Sequence, residues 1–318
     1  MIPTPFSKIS ISAHSKAVKA FFVRFSTHSL QICILISLLS FFSFTSSAQY
    51  QSLCWQISGH GLKHPAYLYG TMHVSDKSVF NFGDKTNKAF ADSKVYAMEL
   101  NPAKTLSLTA LTQMIMTGGN KISKLIPDSD YHFLDSVVSI TNKSGMVLLN
   151  GVEPIIVSAV LDEYSMGISK SADDNMDEAM DLYFYTKAKK TRKKVIGIET
   201  MDEQIAALHA LNYQEQAQML IQSIEELKKG EQNSNADLMK FYIAQNLDSI
   251  LYMSDDNQMP PKLYKALITD RNIRMADRID GFIHNKPVFI AVGAMHLPGD
   301  GGVIALLRKK GYKVVPWR

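Results

Sequence analysis

The sequence predicts an α/β protein, with α+β as the alternative: a small mixed sheet flanked by helices and interrupted by large helical insertions. Two observations predict it. Four strand-length runs rich in Val, Ile and aromatic residues are spread along the chain, and short β-branched runs favour strand over helix. Segments of helical periodicity separate them, and interspersed strands and helices argue for a sheet covered by helices. No low-complexity linker divides the chain after its first 48 residues, which favours one domain over 49–318.

The elements follow in order. Ala66-Tyr67-Leu68-Tyr69 is the first strand, ending at Gly70 and leading to His73. A helix is expected within 75–93. Lys94 to Met98 is the second strand and leads to Glu99. Helices are then expected at 106–116, broken by Gly118-Gly119, and at 130–139, 154–164 and 172–190. The last has acidic residues early and lysines late, the order the helix dipole favours. Lys194 to Ile198 is the third strand, leading to Glu199. One long helix is expected over 201–229, ending at Gly230, with others at 237–253 and 260–284. Pro287 to Val292 is the fourth strand, leading to Gly293 and His296. A short helix at 302–310 and a last strand at 312–315 close the chain. The helical insertions fall at about 103–190 and 202–285.

Residues 1–48 have a different character. Lys8, Lys16, Lys19 and Arg24 precede an apolar run from Leu30 to Phe44, followed by the small residues Thr45-Ser46-Ser47-Ala48. A basic stretch, an apolar stretch and a small-residue end are the parts of a secretory signal. The expected cleavage lies between Ala48 and Gln49, giving an exported protein, periplasmic or extracellular. The apolar run is short for a spanning helix, which needs ~20 residues; an uncleaved signal is the one membrane attachment expected. Leu30-Gln31-Ile32-Cys33 is a poor lipidation context. The whole chain has 34 Lys+Arg against 30 Asp+Glu. Four of those cations and none of the anions lie in 1–48, so the remainder is formally neutral. Nothing in the charge supports a nucleic-acid partner. Cys54 is the single cysteine after residue 48, so no intrachain disulfide forms there.

The chemistry-bearing pattern is a pair of matching units, Gly70-Thr71-Met72-His73 and Gly293-Ala294-Met295-His296. Residues at the carboxyl ends of parallel strands face the crevice where ligands bind. His73, Glu99, Glu199 and His296 all follow strands. The chain order strand-His, strand-Glu, strand-Glu, strand-His hints at internal symmetry. Two His with one or two carboxylates suit a divalent ion such as zinc, manganese, cobalt or iron, and a second carboxylate can serve as general base. Gly70 and Gly293 are expected to permit a sharp turn, and Met72 and Met295 to pack beneath the site. Bland readings stand beside these. Either His alone can be structural, and Glu99 and Glu199 can be helix caps or ion-pair partners. His60, His64, His132, His209 and His284 have no comparable context. Gly299-Asp300-Gly301-Gly302 reads as a helix start rather than an anion-binding turn, and the basic run 189–194 as a solvated helix end. By composition Arg271 faces solvent. No HExxH, Walker loop, GxSxG or CxxC motif is present.

Taken with Trp55-Gln56-Ile57-Ser58, Tyr96-Ala97-Met98-Glu99-Leu100, Gly197-Ile198-Glu199-Thr200, Glu203-Gln204 and Asp270-Arg271-Asn272, the paired GxxH units resemble the TraB/GumN family. Its animal relatives are the Tiki membrane metalloproteases that act on Wnt proteins. The resemblance implies a core like that of erythromycin-esterase and ChaN-like proteins, a divalent metal and a hydrolytic, peptidase-like activity on a peptide or protein. It implies His73, His296 and Glu99 as metal ligands. Glu99, Arg271 and Glu199 become the catalytic group, Arg271 moving from solvent to site as an oxyanion stabiliser. Two other readings stay open: a non-catalytic protein that holds metal, haem or peptide, and a metal-free esterase with His73 or His296 as base.

Overall fold

In the computed structural model, residues 50–318 are described, apart from 106–107, 142, 168–177, 231–232 and 254–258. The signal segment expected over 1–48 and the start of the helix expected at 172–190 lie outside the described residues.

Six strands form one mixed sheet in the order β4-β3-β5-β2-β1-β6. They are β1 Cys54–Ser58, β2 Ala66–Thr71, β3 Val95–Met98, β4 Lys194–Gly197, β5 Val288–Gly293 and β6 Lys313–Pro316. β4, β3, β5 and β2 run parallel, while β1 pairs antiparallel with β2 and β6. The four parallel strands are the four apolar runs of the sequence. β2 and β3 are buried throughout and β5 nearly so, which is why they read as continuous apolar stretches. β1 was not among the expected strands. Gln56 and Ser58 alternate with buried Trp55 and Ile57, so its period-2 pattern lacks the apolar run that marks its neighbours.

The parallel register sets up the site. Thr71 pairs with Gly293 at the ends of β2 and β5, and Met98 pairs with Gly197 at the ends of β3 and β4. All four chains therefore leave the sheet at one edge. The main core covers the sheet, with Trp55, Tyr96, Phe184 and Phe289 among its largest buried side chains. Met72 is buried in it and Met295 packs against it. A second cluster, including Ile122, Leu134, Val157 and Leu220, belongs to the helical insertions.

Three long helices of the sequence reading are divided, the 237–253 stretch into Asn233–Ile243 and Leu247–Met253. The 201–229 stretch forms Met201–Leu208 and Tyr213–Lys229. Asn212 separates them: its side chain accepts from the N–H groups of Gln214 and Glu215 while Glu215 returns a bond to the Asn212 N–H. This capping box satisfies N–H groups that a new helix start leaves open. The 260–284 stretch forms Pro261–Tyr264, a π-helical turn Lys265–Thr269, and Asp270–Phe282. The helix expected at 172–190 is described as Met180–Lys190.

Candidate functional site

Glu99 and Glu199 follow adjacent parallel strands, and the pairing continues past them: the Glu199 N–H donates to the Glu99 carbonyl at 2.8 Å. Two carboxylates on neighbouring strand ends repel unless a cation lies between them. Arg271 is that cation. Its Nη2 lies 2.7 Å from Glu99 Oε2 and 2.7 Å from Glu199 Oε2, and its Nε donates to Glu199 at 2.9 Å. The Arg271 side chain is 9% exposed and that of Glu199 is fully buried. Arg271 is the second residue after the π-helical turn, a feature often found at functional sites, and its Nη1 donates back to the Leu267 carbonyl. Gln204 Nε2 donates to both carboxylates, at 3.2 and 3.3 Å. Composition alone would have left Arg271 in solvent; the buried pair of carboxylates holds it in.

The helix-cap reading of Glu199 does not hold. Thr200 is the N-cap of Met201–Leu208, and Glu203 completes the capping box. Arg278 supports the same corner, donating to the Ile198 carbonyl at 2.7 Å and to Glu203 at 2.8 Å.

His296 is 5% exposed and lies in a short 3-10 turn after β5. Its Nδ1 is 2.7 Å from Asn272 Oδ1, and Asn272 Nδ2 donates to the Gly301 carbonyl at 2.9 Å. A carbonyl can only accept, so the Asn272 amide nitrogen must face Gly301. Its oxygen therefore faces His296, and the proton belongs on Nδ1. Nε2 is left with its lone pair, 3.9 Å from Glu99 Oε1. Burial pushes the His296 pKa down, to about 4, against the pull of Glu99. The ring is neutral at neutral pH.

His73 has a different setting. Its side chain is 69% exposed, the most open group here. Its Nδ1 is 2.7 Å from Asp181 Oδ2, and Asp181 Oδ1 accepts from Thr71 Oγ1 at 2.8 Å. The Met180 N–H donates to the Val74 carbonyl, which sets the start of helix Met180–Lys190 beside His73. Asp181 is the main cause that raises the His73 pKa, to about 9.

Glu99 interacts electrostatically with both imidazoles. Burial works to raise its pKa, but His296, Arg271, His73 and the Gly293 N–H together hold it down, at about 2. Of these cations Arg271 alone is charged at every pH, so its pull persists when His296 is neutral. The Gly293 N–H donates to Glu99 Oε1 at 2.6 Å.

The glycines serve close approach rather than turning. A Cβ on Gly70 would lie 2.9 Å from Leu297 Cδ1 and 3.1 Å from Ala294 Cα. A Cβ on Gly293 would lie 3.3 Å from Glu99 Oε1. Neither has a positive φ, so the expected freedom of turn is not what selects them. The Gly299–Gly302 segment is a helix start, with Gly302 the N-cap of Val303–Lys309.

The edge of the sheet thus brings together His73, Glu99, Glu199, Arg271 and His296. Sequence reasoning missed Asp181, Asn272, Gln204 and Thr71. Thr71, Gln204 and Asn272 stand inside motif strings already noted; Asp181 carries no sequence signal.

Residues 53–316 match the TraB/PrgY/gumN family. The chain belongs to that family. Its relatives include metalloprotease TIKI2 of Xenopus tropicalis, 26% identical over 85% of this chain and 60% of that protein. Metalloprotease TIKI1 of Homo sapiens is 26% identical over 79% of this chain and 59% of that protein. The Nematostella vectensis TIKI homolog is 25% identical over 85% and 68%. The chain therefore spans about 60% of the length of the first two. No solved structure matches it. Among the described residues no helix is long and apolar enough to cross a membrane.

The metalloprotease names of these TraB/PrgY/gumN relatives imply a divalent ion. Such an ion needs unprotonated imidazole nitrogens and carboxylate oxygens. Metal-binding His residues hold their other ring nitrogen on a carboxylate or carbonyl oxygen. His73 on Asp181 and His296 on Asn272 meet that condition, each keeping Nε2 for a ligand. Two donors each ~2.1 Å from one ion stand no more than about 4.2 Å apart, and His296 Nε2 and Glu99 Oε1 lie within that limit. The donor chemistry fits. Among the described residues, however, no three His, Cys, Asp or Glu side chains stand together as a metal-holding group.

Proposed function

We propose that this chain is an exported metal-dependent hydrolase that cleaves peptides, with His73, His296 and Glu99 as the groups that would hold the ion. One observation carries the reading: both GxxH histidines have Nδ1 at 2.7 Å from a side-chain oxygen, leaving Nε2 as the donor. The metalloprotease names of distant relatives support it. The ion, when bound, supplies Lewis acidity and activates water.

The chain's own residues do the rest. His296 is buried and neutral, so it is ready to donate a lone pair. His73 sits at the open side and has to release its proton when an ion binds, which makes loading pH-dependent. Glu99 stays ionised, which suits a ligand better than a base. Arg271 has Nε, Nη1 and Nη2 engaged, so its part is to hold the two carboxylates in place rather than to meet an oxyanion. Glu199 balances the charge of Arg271. Export rests on the pattern of residues 1–48, and amino-terminal sequencing of the secreted form should begin at Gln49.

The deciding experiment measures bound metal and casein cleavage together, for the wild type and His73→Ala. Stoichiometric metal, cleavage that a chelator abolishes, and loss of both in the variant are expected. Unchanged metal in His73→Ala sinks the ligand assignment, and cleavage that survives chelation favours a metal-free hydrolase. The engagement of Glu99 by Arg271, Gln204 and the Gly293 N–H also suits a protein that holds metal, haem or peptide without turnover. Stoichiometric metal without cleavage points to that reading.

A further inference from the structure

A cavity of about 410 Å³ opens between helix Leu247–Met253, the Tyr264–Asn272 stretch and the Met295–Gly302 loop. It adjoins the candidate site through shared residues. Asn272 and Met295 line it, and Asn272 is the residue that holds His296 Nδ1. Helix Leu247–Met253 packs on the Ala294–His296 turn itself. A side chain entering this cavity belongs to a chain that passes close to His296.

The lining has a definite chemistry. Leu251, Ile268 and Pro298 form apolar walls suited to a run of methylene groups. Among the described residues Asp248 and Asp300 are the charged ones that line it, and both are anionic. They flank one feature: both carboxylates act on the Tyr50 phenol, whose hydroxyl donates to the Gly299 carbonyl. Asp248 Oδ2 accepts from the Tyr50 N–H at 3.0 Å. Neither carboxylate is in an ion pair among the described residues. The nearby cations are committed elsewhere, Arg308 to the Val314 carbonyl and Lys309 to the Asp300 backbone oxygen, and neither lines the cavity. A cavity with an apolar wall and two carboxylates outside any ion pair favours a long side chain with a cationic end, because burial of its stem and pairing of its head then act together.

We infer that this cavity is the subsite for a lysine or arginine side chain of the peptide substrate. The inference rests on the peptide-cleaving reading above, but binding tests it independently of cleavage. The probes are N-acetyl-arginine amide and its neutral isostere N-acetyl-citrulline amide, with affinity read by equilibrium dialysis against the full chain. The wild type should prefer the arginine probe at least tenfold. Asp248→Asn with Asp300→Asn keeps side-chain acceptors for the Tyr50 N–H and removes both charges, so it should bring the two probes to equal affinity. Equal affinity for the two probes in the wild type overturns the subsite, as does an undiminished preference in a variant that melts like the wild type. Cleavage sites in casein give the second readout: they should be enriched beside Lys and Arg in the wild type alone. A protein that shows the arginine preference and cuts nothing retains the subsite and loses the peptidase reading.

Discussion

Asn272 determines the state of His296: its Oδ1 lies 2.7 Å from the ring Nδ1, and its amide nitrogen is pinned on the Gly301 carbonyl. One neutral side chain thereby fixes the orientation and tautomer of a buried imidazole. Asp181 does the corresponding work for His73 with a charged group and an open ring. The two histidines are alike in sequence context and unlike in setting.

Asn272→Ala removes the acceptor for Nδ1 and leaves the Gly301 carbonyl without its partner. Loss of such an outer partner typically costs roughly 10–100-fold in metal affinity, and unsatisfied buried polar groups cost about 1–3 kcal/mol. Competition with a chromophoric chelator and urea denaturation measure the two effects. A variant that matches the wild type in both removes Asn272 from the site.

Arg271→Met should be among the most destabilising single changes in the chain. It leaves Glu99 and Glu199 facing each other without the guanidinium that bridges them, the Arg274 Nη2 at 3.6 Å from Glu199 Oε1 being the cation that remains beside Glu199. Breaking a buried pair by removing one partner costs about 3–5 kcal/mol. The double change Arg271→Met with Glu199→Gln should recover part of that loss, because one of the two stranded charges is then gone. Additive losses in urea melts would contradict the network.

The two glycines should respond differently to alanine. At Gly70 the new methyl meets Leu297 and the Ala294 backbone, and overpacking of this kind costs about 1–3 kcal/mol. At Gly293 it presses on the Glu99 carboxylate, so the expected effect is weaker metal binding with a smaller loss of stability. Thermal melts and metal titrations of the two variants distinguish packing from site geometry.

The acid side of the stability curve should carry the signature of Glu203. The Arg278 guanidinium and the Thr200 N–H hold its carboxyl at about 2, below the usual value near ~4.3. A depressed carboxylate stabilises the fold fully above its unfolded pKa and loses that contribution as pH falls through the folded value. The contribution of Glu203 is therefore present above about pH 4.3 and disappears toward pH 2. Denaturation of Glu203→Gln at pH 7 and pH 3 should show a larger deficit at pH 7. The pair is partly exposed, so solvent screening keeps the difference modest. Equal deficits at both pH values argue against the linkage.

Much of the site was legible in the chain. Four apolar runs ended at His73, Glu99, Glu199 and His296, and an apolar run of strand length is a local property that a sequence records directly. Residues 1–48 announced their own character by charge and hydropathy for the same reason. The paired GxxH units, with the strings around Glu99, Glu199 and Arg271, also carried the likeness to the TraB/PrgY/gumN family.

Only the tertiary structure decided how these residues meet. Nothing local says that β5 lies between β3 and β2, yet that order puts the two histidines on neighbouring strands and the two glutamates on the adjoining pair. Nothing local marks Asp181, which reaches the site because helix Met180–Lys190 starts beside Val74. The burial of Arg271 is likewise a consequence of two carboxylates converging from strands distant in sequence. Hydrogen bonds and ion pairs between remote segments are set by where the sheet brings them, and so is the packing that makes Gly70 and Gly293 necessary. Composition and periodicity hold no record of that placement.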